Sequence, residues 1–118
     1  MLVVNPTPFW GIMLCRTLKE LSIEGEWVKN GKRCIDKIQE KKDYAGIFMS
    51  INMPVINGIE TTRKILSLGF QAPIIGFSSM GEDEDIAKGL KVGISAYIRR
   101  TVEIEKIRIL LEQLEIIQ

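Results

Sequence analysis

The sequence predicts an α/β fold in which helices cover both faces of a parallel five-stranded sheet. Short apolar runs alternate with amphipathic segments five times along the 118 residues of the chain. The runs are nearly continuous in apolar residues, which is typical of strands that are buried on both faces. The length suits one hydrophobic core, and we expect residues 1–118 to form a single domain without a linker or repeat.

The first two strand–helix units are visible from the start of the chain. Residues 2–4 form an apolar run that Asn5–Pro6 closes, as expected for a buried strand. Pro8 suits the first turn of the following helix. Leucines recur along that helix at helical spacing: Leu14, Leu18 and Leu21. The second unit is a weak strand at residues 26–28 and a helix after the Asn30–Gly31 turn.

The remaining three units repeat this alternation. The strands are predicted at residues 45–49, 73–77 and 95–98, and the helices at residues 59–68, 82–93 and 102–117. Four acids, Glu82–Asp85, open the fourth helix and suit the positive end of its dipole. Because parallel crossovers are right-handed, the simplest closure is a doubly wound, flavodoxin-like (βα)5 three-layer sandwich with strand order 2-1-3-4-5.

Composition excludes several classes of function. The chain contains no His, which excludes a phosphohistidine carrier, a His-dependent nucleophile and every His-ligated metal site. The formal net charge of +1 gives no electrostatic reason to bind nucleic acid or a membrane. Cys15 and Cys34 are not spaced as a redox pair, and we expect both to be buried thiols in a reducing compartment, the cytoplasm. We expect no cofactor.

Polar and basic residues follow the predicted strands at the edge where a doubly wound sheet binds its ligands. The residues at these carboxyl ends are Asn5, Pro6, Thr7, Ser50, Ile51, Asn52, Ser78, Ser79, Arg99 and Arg100. The sequence therefore predicts that any chemistry of this chain takes place among them.

Four segments around these positions resemble the receiver domain of two-component response regulators, the CheY-like family. Residues 2–9 are similar to the opening strand and acidic turn, in the version found in hybrid histidine kinases. Residues 51–60, with the pattern Met-Pro-x-x-x-Gly, are similar to the loop after the phosphorylated aspartate. Residues 73–79 resemble the strand with the switch hydroxyl, and residues 96–101 the strand and loop with the lysine of the family.

The resemblance implies a role for each matched position. Ser50 stands at the phosphoacceptor position, and Asn5 and Pro6 stand at the acidic pair. The switch positions carry Ser78 and Tyr97, and the lysine position carries Arg100, or Arg99 if the loop shifts by one residue. In the family the switch aromatic moves inward when the switch hydroxyl is drawn to the phosphate.

The departures from the family pattern predict a pseudo-receiver that is not an enzyme. An active receiver holds Mg²⁺ with carboxylates, which are the hard ligands that this ion needs. Positions 5, 6 and 50 carry no acid, and the backbone carbonyl of Asn52 alone is too weak a ligand, so we expect no metal. Ser50 is a poor nucleophile without a base or a metal beside it.

The leading hypothesis is a signalling module that acts in a phosphorelay by protein–protein contact. The partners implied are a histidine kinase, a phosphotransfer protein or a linked output domain, with a weak homodimer through the last helix. The inward stripe of the first helix needs only its leucines, so we expect Phe9, Trp10 and Met13 to provide the partner surface.

Three alternatives stay open. The first is an anion or small-ligand sensor that uses the emptied pocket at Ser50, Ser78, Ser79 and Arg100. The second is a working phosphoacceptor at Asp43, which lies before the third strand and so at the wrong end of the sheet. The third is a flavin-binding electron carrier, which is disfavoured because residues 5–8 lack the glycines of a phosphate loop.

Overall fold

The computed structural model describes residues 1–53, 56–78, 83–99 and 102–117, and for residues 78 and 83–85 it describes the backbone alone. The strands are β1 (Leu2–Val4), β2 (Glu26–Val28), β3 (Ile47–Ser50), β4 (Ile74–Ser78) and β5 (Ala96–Arg99). The helices are α1 (Pro8–Glu20), α2 (Gly31–Glu40), α3 (Gly58–Ser67), α4 (Asp83–Val92) and α5 (Ile104–Gln113).

The five strands form one parallel sheet in the order β2-β1-β3-β4-β5, which confirms the predicted α/β fold and strand order. Side chains alternate across the sheet, so each strand contributes to two cores. Val3 and Phe48 face α1 and α5, where they pack with Leu14 and Ile107. The opposite core joins the other side of β1 and β3 to α2 and α3. Its fully buried members include Leu2, Val4, Cys34, Ile47 and Ile65.

Glycines follow two of the helices and end them. Gly69 follows α3 with φ of 95°, and Gly93 follows α4 with φ of 121°. Both angles lie in the left-handed region, where a side chain would clash with the backbone. The chain therefore leaves each helix directly towards the next strand.

The last helix is shorter than the sequence predicts. α5 ends at Gln113 instead of residue 117, and Glu115 takes a left-handed φ of 61°. The N–H of Ile116 then donates to the carbonyl of Leu111 over 2.9 Å. This turn directs Ile116 and Ile117 back onto the core beneath α5. Their apolar side chains are buried in this way without a continuing helix, which the sequence pattern alone does not distinguish.

The two cysteines differ in burial, and the expectation that both are buried is wrong for one of them. Cys34 on α2 is fully buried, and burial raises the pKa of its thiol to about 12. Cys15 on α1 is only half-buried, although burial also raises the pKa of its thiol. The difference arises because Cys15 faces the β2 edge of the sheet, where the described chain places no further helix.

Candidate functional site

A small cavity of about 180 Å³ lies at the C-terminal ends of β1 and β3. The described residues that line it are Asn5, Pro6, Thr7, Trp10, Ser50, Asn52 and Phe77. The structure therefore brings together Asn5, Pro6 and Ser50, as predicted from the ends of the strands. None of these seven side chains ionises at neutral pH, so the described wall of the cavity is neutral.

Asn5 is fixed by three hydrogen bonds at the centre of this edge. Its backbone N–H donates to the carbonyl of Val28 over 3.1 Å, which ties β1 to β2. Its side-chain Oδ1 accepts the N–H of Thr7 over 2.9 Å and shapes the turn into α1. Asn5 is only 2% exposed, so these two bonds satisfy its backbone N–H and its side-chain oxygen in a buried position.

The third bond to Asn5 comes from Trp27 on β2. The indole Nε1–H of Trp27 donates to the carbonyl of Asn5 over 2.9 Å. The ring lies against α1 at Gly11, where a Cβ atom would be 2.5 Å from Nε1. Gly11 is therefore glycine because the indole occupies the space that a side chain would need. The contact cannot be predicted from the sequence, since the two residues are brought together only by strand pairing.

Ser50 is the last residue of β3 and is 8% exposed. The start of α3 packs directly against it, since a Cβ atom on Gly58 would lie 2.2 Å from the Ser50 carbonyl oxygen. The N–H of Gly58 donates to the carbonyl of Ile51 over 2.9 Å, and Asn57 caps α3 by accepting the N–H of Glu60. The start of α3 thus packs closely against the end of β3, which holds Ser50 at the cavity.

The three residues expected to form a partner surface separate in the structure. Phe9 is 60% exposed, whereas Trp10 and Met13 are half-buried. Trp10 turns inward, where its ring packs 5.6 Å from that of Phe77 and joins the core beneath α1. The sequence does indicate this inward position. Trp10 precedes Leu14 by one helical turn and so continues the row of residues that faces the core.

We expect the two neighbouring aromatic residues to respond differently to truncation. Trp10→Ala removes packing against Phe77 and should lower the free energy of unfolding by about 1–3 kcal/mol, less than a fully buried aromatic would lose. Phe9→Ala should change it by less than about 0.5 kcal/mol, since its ring is mostly in solvent. Urea unfolding of both variants measures the difference. Equal effects would contradict the inward packing of Trp10.

Tyr97 on β5 lies between the sheet and α4. It pairs with Gly76 on β4, where a Cβ atom would come within 2.3 Å of the tyrosine ring. A Cβ atom on Gly89 of α4 would lie 1.7 Å from the Tyr97 hydroxyl oxygen. Two glycines on two elements thus leave an inward seat for one aromatic ring, which we call the Tyr97 seat (Gly76 and Gly89).

The remaining predicted site residues are only partly described. Ser78 is the last residue of β4, and Arg99 is exposed at the end of β5. Ser79 and Arg100 lie outside the described residues. Asp43 is exposed in the connection that precedes β3, at the opposite end of that strand from the cavity. In the described ranges no three Cys, Asp or Glu side chains are grouped so that they could hold a metal ion.

Comparisons with a family model and with individual proteins all identify the same family. The model of the response regulator receiver domain matches residues 1–112. The chain is 30% identical to the chemotaxis protein CheY of Thermotoga maritima over 99 residues, which covers 82% of this chain and 81% of CheY. It is 25% identical to two-component response regulator 24 of Arabidopsis thaliana over 84% of this chain and 71% of that protein.

Longer proteins match over a small part of their length. Against the osmosensing histidine protein kinase SLN1 of Saccharomyces cerevisiae the identity is 26%, over 79% of this chain and 8% of the kinase. Against the nitrate/nitrite response regulator NarL of Escherichia coli it is 31%, over 73% of this chain and 39% of the regulator. The chain therefore spans well under half of these two relatives.

Solved structures support the same fold. The chemotaxis protein CheY4 of Vibrio cholerae superposes with a TM-score of 0.88 at 22% identity, over 96% of this chain and 95% of CheY4. A two-component response regulator from Clostridium difficile superposes with a TM-score of 0.89 at 22% identity, over 97% of this chain and 93% of the regulator. By its sequence, its topology and these matches, the chain belongs to the response regulator receiver domain family.

Proposed function

We propose that this chain is a pseudo-receiver, a single domain over residues 1–118 that signals without accepting a phosphoryl group and without catalysing a reaction. The observation that carries this proposal is the neutral cavity, in which Asn5, Pro6 and Ser50 stand where the family resemblance implies carboxylates. The receiver domain of the sensor histidine kinase PA1611 of Pseudomonas aeruginosa is described with magnesium in its active-site cleft. Our chain offers no carboxylate from these positions to offset the charge of that ion.

The Tyr97 seat supports a conformation that does not depend on phosphorylation. In the family the switch aromatic moves inward in response to the phosphorylated site. Tyr97 already lies inward here, because Gly76 and Gly89 leave the space that its ring fills. We propose that the protein presents this one arrangement of β4, α4 and β5 to its partners at all times.

The proposed partners are the histidine kinase, phosphotransfer protein or linked output domain of a two-component phosphorelay of the hybrid-kinase type. We propose that the contact takes place in the cytoplasm and involves neither nucleic acid nor a membrane. None of the described helices is long and apolar enough to span a bilayer. Phe9 at the start of α1 is the most exposed of the large hydrophobic side chains in the described chain and lies next to the cavity residue Trp10.

Binding to a phosphotransfer domain from the same genome tests this proposal by calorimetry, with neither component phosphorylated. We expect Phe9→Ala to weaken binding about 10- to 100-fold, the equivalent of losing about 1.5–3 kcal/mol from one buried aromatic side chain. Ile109→Ala is the matched control, because Ile109 is also exposed, at 48%, but lies on α5. Both variants should melt like the wild type.

Two results would contradict the proposed contact. One is equal binding of wild type and Phe9→Ala to a domain that binds the wild type. The other is binding that appears only after the chain has been treated with a phosphoryl donor and Mg²⁺. The sensor alternative is not advanced, because the described wall of the cavity contributes no cation for an anion to bind.

A further inference from the structure

An open groove of about 860 Å³ lies between α1 and the chain that leads into β2. One wall is the outward flank of α1, and the other is the chain from residue 22 into β2. The floor is apolar and consists of Ile12, Cys15, Ile23 and Trp27, with Ile12 47% exposed. We call this feature the α1–β2 groove.

The groove follows from the topology. β2 is an edge strand of the sheet. On the face that carries α1, the other helix is α5, which packs through Ile107 and Leu111 into the core that Leu14 and Leu18 enter. The flank of α1 towards β2 is therefore left uncovered by the described elements. An edge strand beside an apolar flank is a surface that proteins usually cover or pair.

The floor of the groove is held in place by contacts that the cavity also uses. The Trp27 indole is fixed by its hydrogen bond to the Asn5 carbonyl and by its fit against Gly11. A Cβ atom on Gly25 would lie 3.2 Å from the Cys15 sulfur, so the backbone before β2 runs close beneath α1. The surface is thus preformed, and a partner would not have to order it.

Charges of opposite sign line the two walls. Arg16 and Lys19 extend from α1, and Glu24 lies on the opposite wall. These three side chains form no close ion pair within the described part of the chain, although the N-terminal ammonium of Met1 lies near Glu24 and donates to its carbonyl over 2.7 Å. The neighbouring Glu26 is paired with Lys37 at 3.0 Å. A two-fold rotation about an axis that lies between the two copies and runs parallel to the groove exchanges the walls. It places the basic wall of one copy against the acidic wall of the other.

We infer that the α1–β2 groove is the contact surface of a symmetric dimer of this chain. A surface with one charge sign on each of two facing walls is complementary in charge to its own two-fold copy, and self-complementarity is the requirement of a two-fold interface. The exposed side chain of Ile12 supplies apolar area at the contact, and the Lys19–Glu24 contacts set the orientation. The inference is independent of whether the chain accepts a phosphoryl group.

Reversal of the charges at residues 19 and 24 tests the dimer. Self-association is measured by sedimentation from about 10 μM to about 1 mM protein, the range that contains the dissociation constant of a weak dimer. Lys19→Glu alone and Glu24→Lys alone should each weaken self-association about tenfold or more, because each faces like charges across the axis. An equimolar mixture of the two variants should associate about as strongly as the wild type, since the mixed dimer re-forms one contact with its original signs and the other with its signs reversed. Lys32→Glu on α2 is the matched control and should behave like the wild type.

Three results would overturn the inference. The first is a wild type that stays monomeric over the whole concentration range. The second is a dimer that both reversals leave unchanged, which would place the contact elsewhere. The third is a mixture that associates no better than the separate variants, which would mean that residues 19 and 24 do not meet across a two-fold axis. Thermal melts of all variants separate a loss of association from a loss of folding.

Discussion

Incubation of the chain with acetyl phosphate and Mg²⁺ should leave its mass unchanged, and Ser50→Asp alone should not alter that result. Phosphoryl transfer to an aspartate needs a metal ion that neutralises the transferring group. The single variant supplies the nucleophile but only one carboxylate, because Asn5 and Pro6 remain uncharged. We expect intact mass spectrometry at neutral pH to show no gain for either protein.

The combined variant Asn5→Asp, Pro6→Asp and Ser50→Asp should gain Mg²⁺ affinity and, with it, an acid-labile phosphoryl group. An aspartate at position 5 can keep the hydrogen bond from the Thr7 N–H that Asn5 Oδ1 now accepts. Three carboxylates around a cavity of about 180 Å³ repel one another without the metal, so the variant should be less stable when Mg²⁺ is absent. Trp10 lines the cavity and provides a fluorescent reporter of metal binding.

Ser67→Asp is the matched control, because Ser67 is exposed at the end of α3 and lies far from the cavity in the fold. Efficient labelling of Ser50→Asp alone would show that the missing metal ligands are not what prevents the chemistry. An acid-stable phosphoryl group on the wild type would instead identify Ser50, or another hydroxyl, as a working acceptor. The first result would contradict the role given to the missing metal ligands, and the second would contradict a pseudo-receiver.

The strands and their order could be predicted because apolar patterning determines which segments are buried on both faces. Runs such as Leu2–Val4 and Ile47–Ser50 leave few alternatives once right-handed crossovers are assumed. The end of α5 could not be predicted in the same way. Ile116 and Ile117 are apolar in either conformation, and only the left-handed turn at Glu115 decides that they fold back instead of extending the helix.

The candidate site could be predicted only where it depends on the ends of strands. Asn5, Pro6 and Ser50 lie together because parallel strands finish at one edge. The contacts that hold this edge join residues far apart in sequence, such as Trp27 with Asn5 and Gly11. Nothing in a linear pattern pairs those residues. Gly11 and Gly89 have low helix propensity. Only the structure shows that each glycine leaves space for an aromatic ring.

Substitution of Gly89 by alanine should destabilise the protein, although the same change stabilises most helices. Alanine is favoured over glycine inside a helix by about 1 kcal/mol. Here its Cβ atom would lie 1.7 Å from the Tyr97 hydroxyl oxygen, so the ring would have to leave the Tyr97 seat. Overpacking of this kind costs about 1–3 kcal/mol, and we expect urea unfolding of Gly89→Ala to show a net loss of stability.

A double-mutant cycle with Tyr97 isolates the cause, and it tests whether the inward ring is a fixed part of the structure. In a Tyr97→Ala background the nearest remaining side-chain atom is Cδ1 of Ile94, 2.9 Å from the new Cβ and at the flexible end of its side chain. Gly89→Ala should therefore become neutral or stabilising by up to about 1 kcal/mol in that background. The two residues should be coupled by about 1–3 kcal/mol.

Tyr97→Phe should give an intermediate result, because it removes the hydroxyl but keeps the ring carbon that would lie 2.9 Å away. If Gly89→Ala stabilises the wild type and the Tyr97→Ala variant equally, the ring moves out of the seat at no cost, and a fixed signalling conformation built on Tyr97 is excluded.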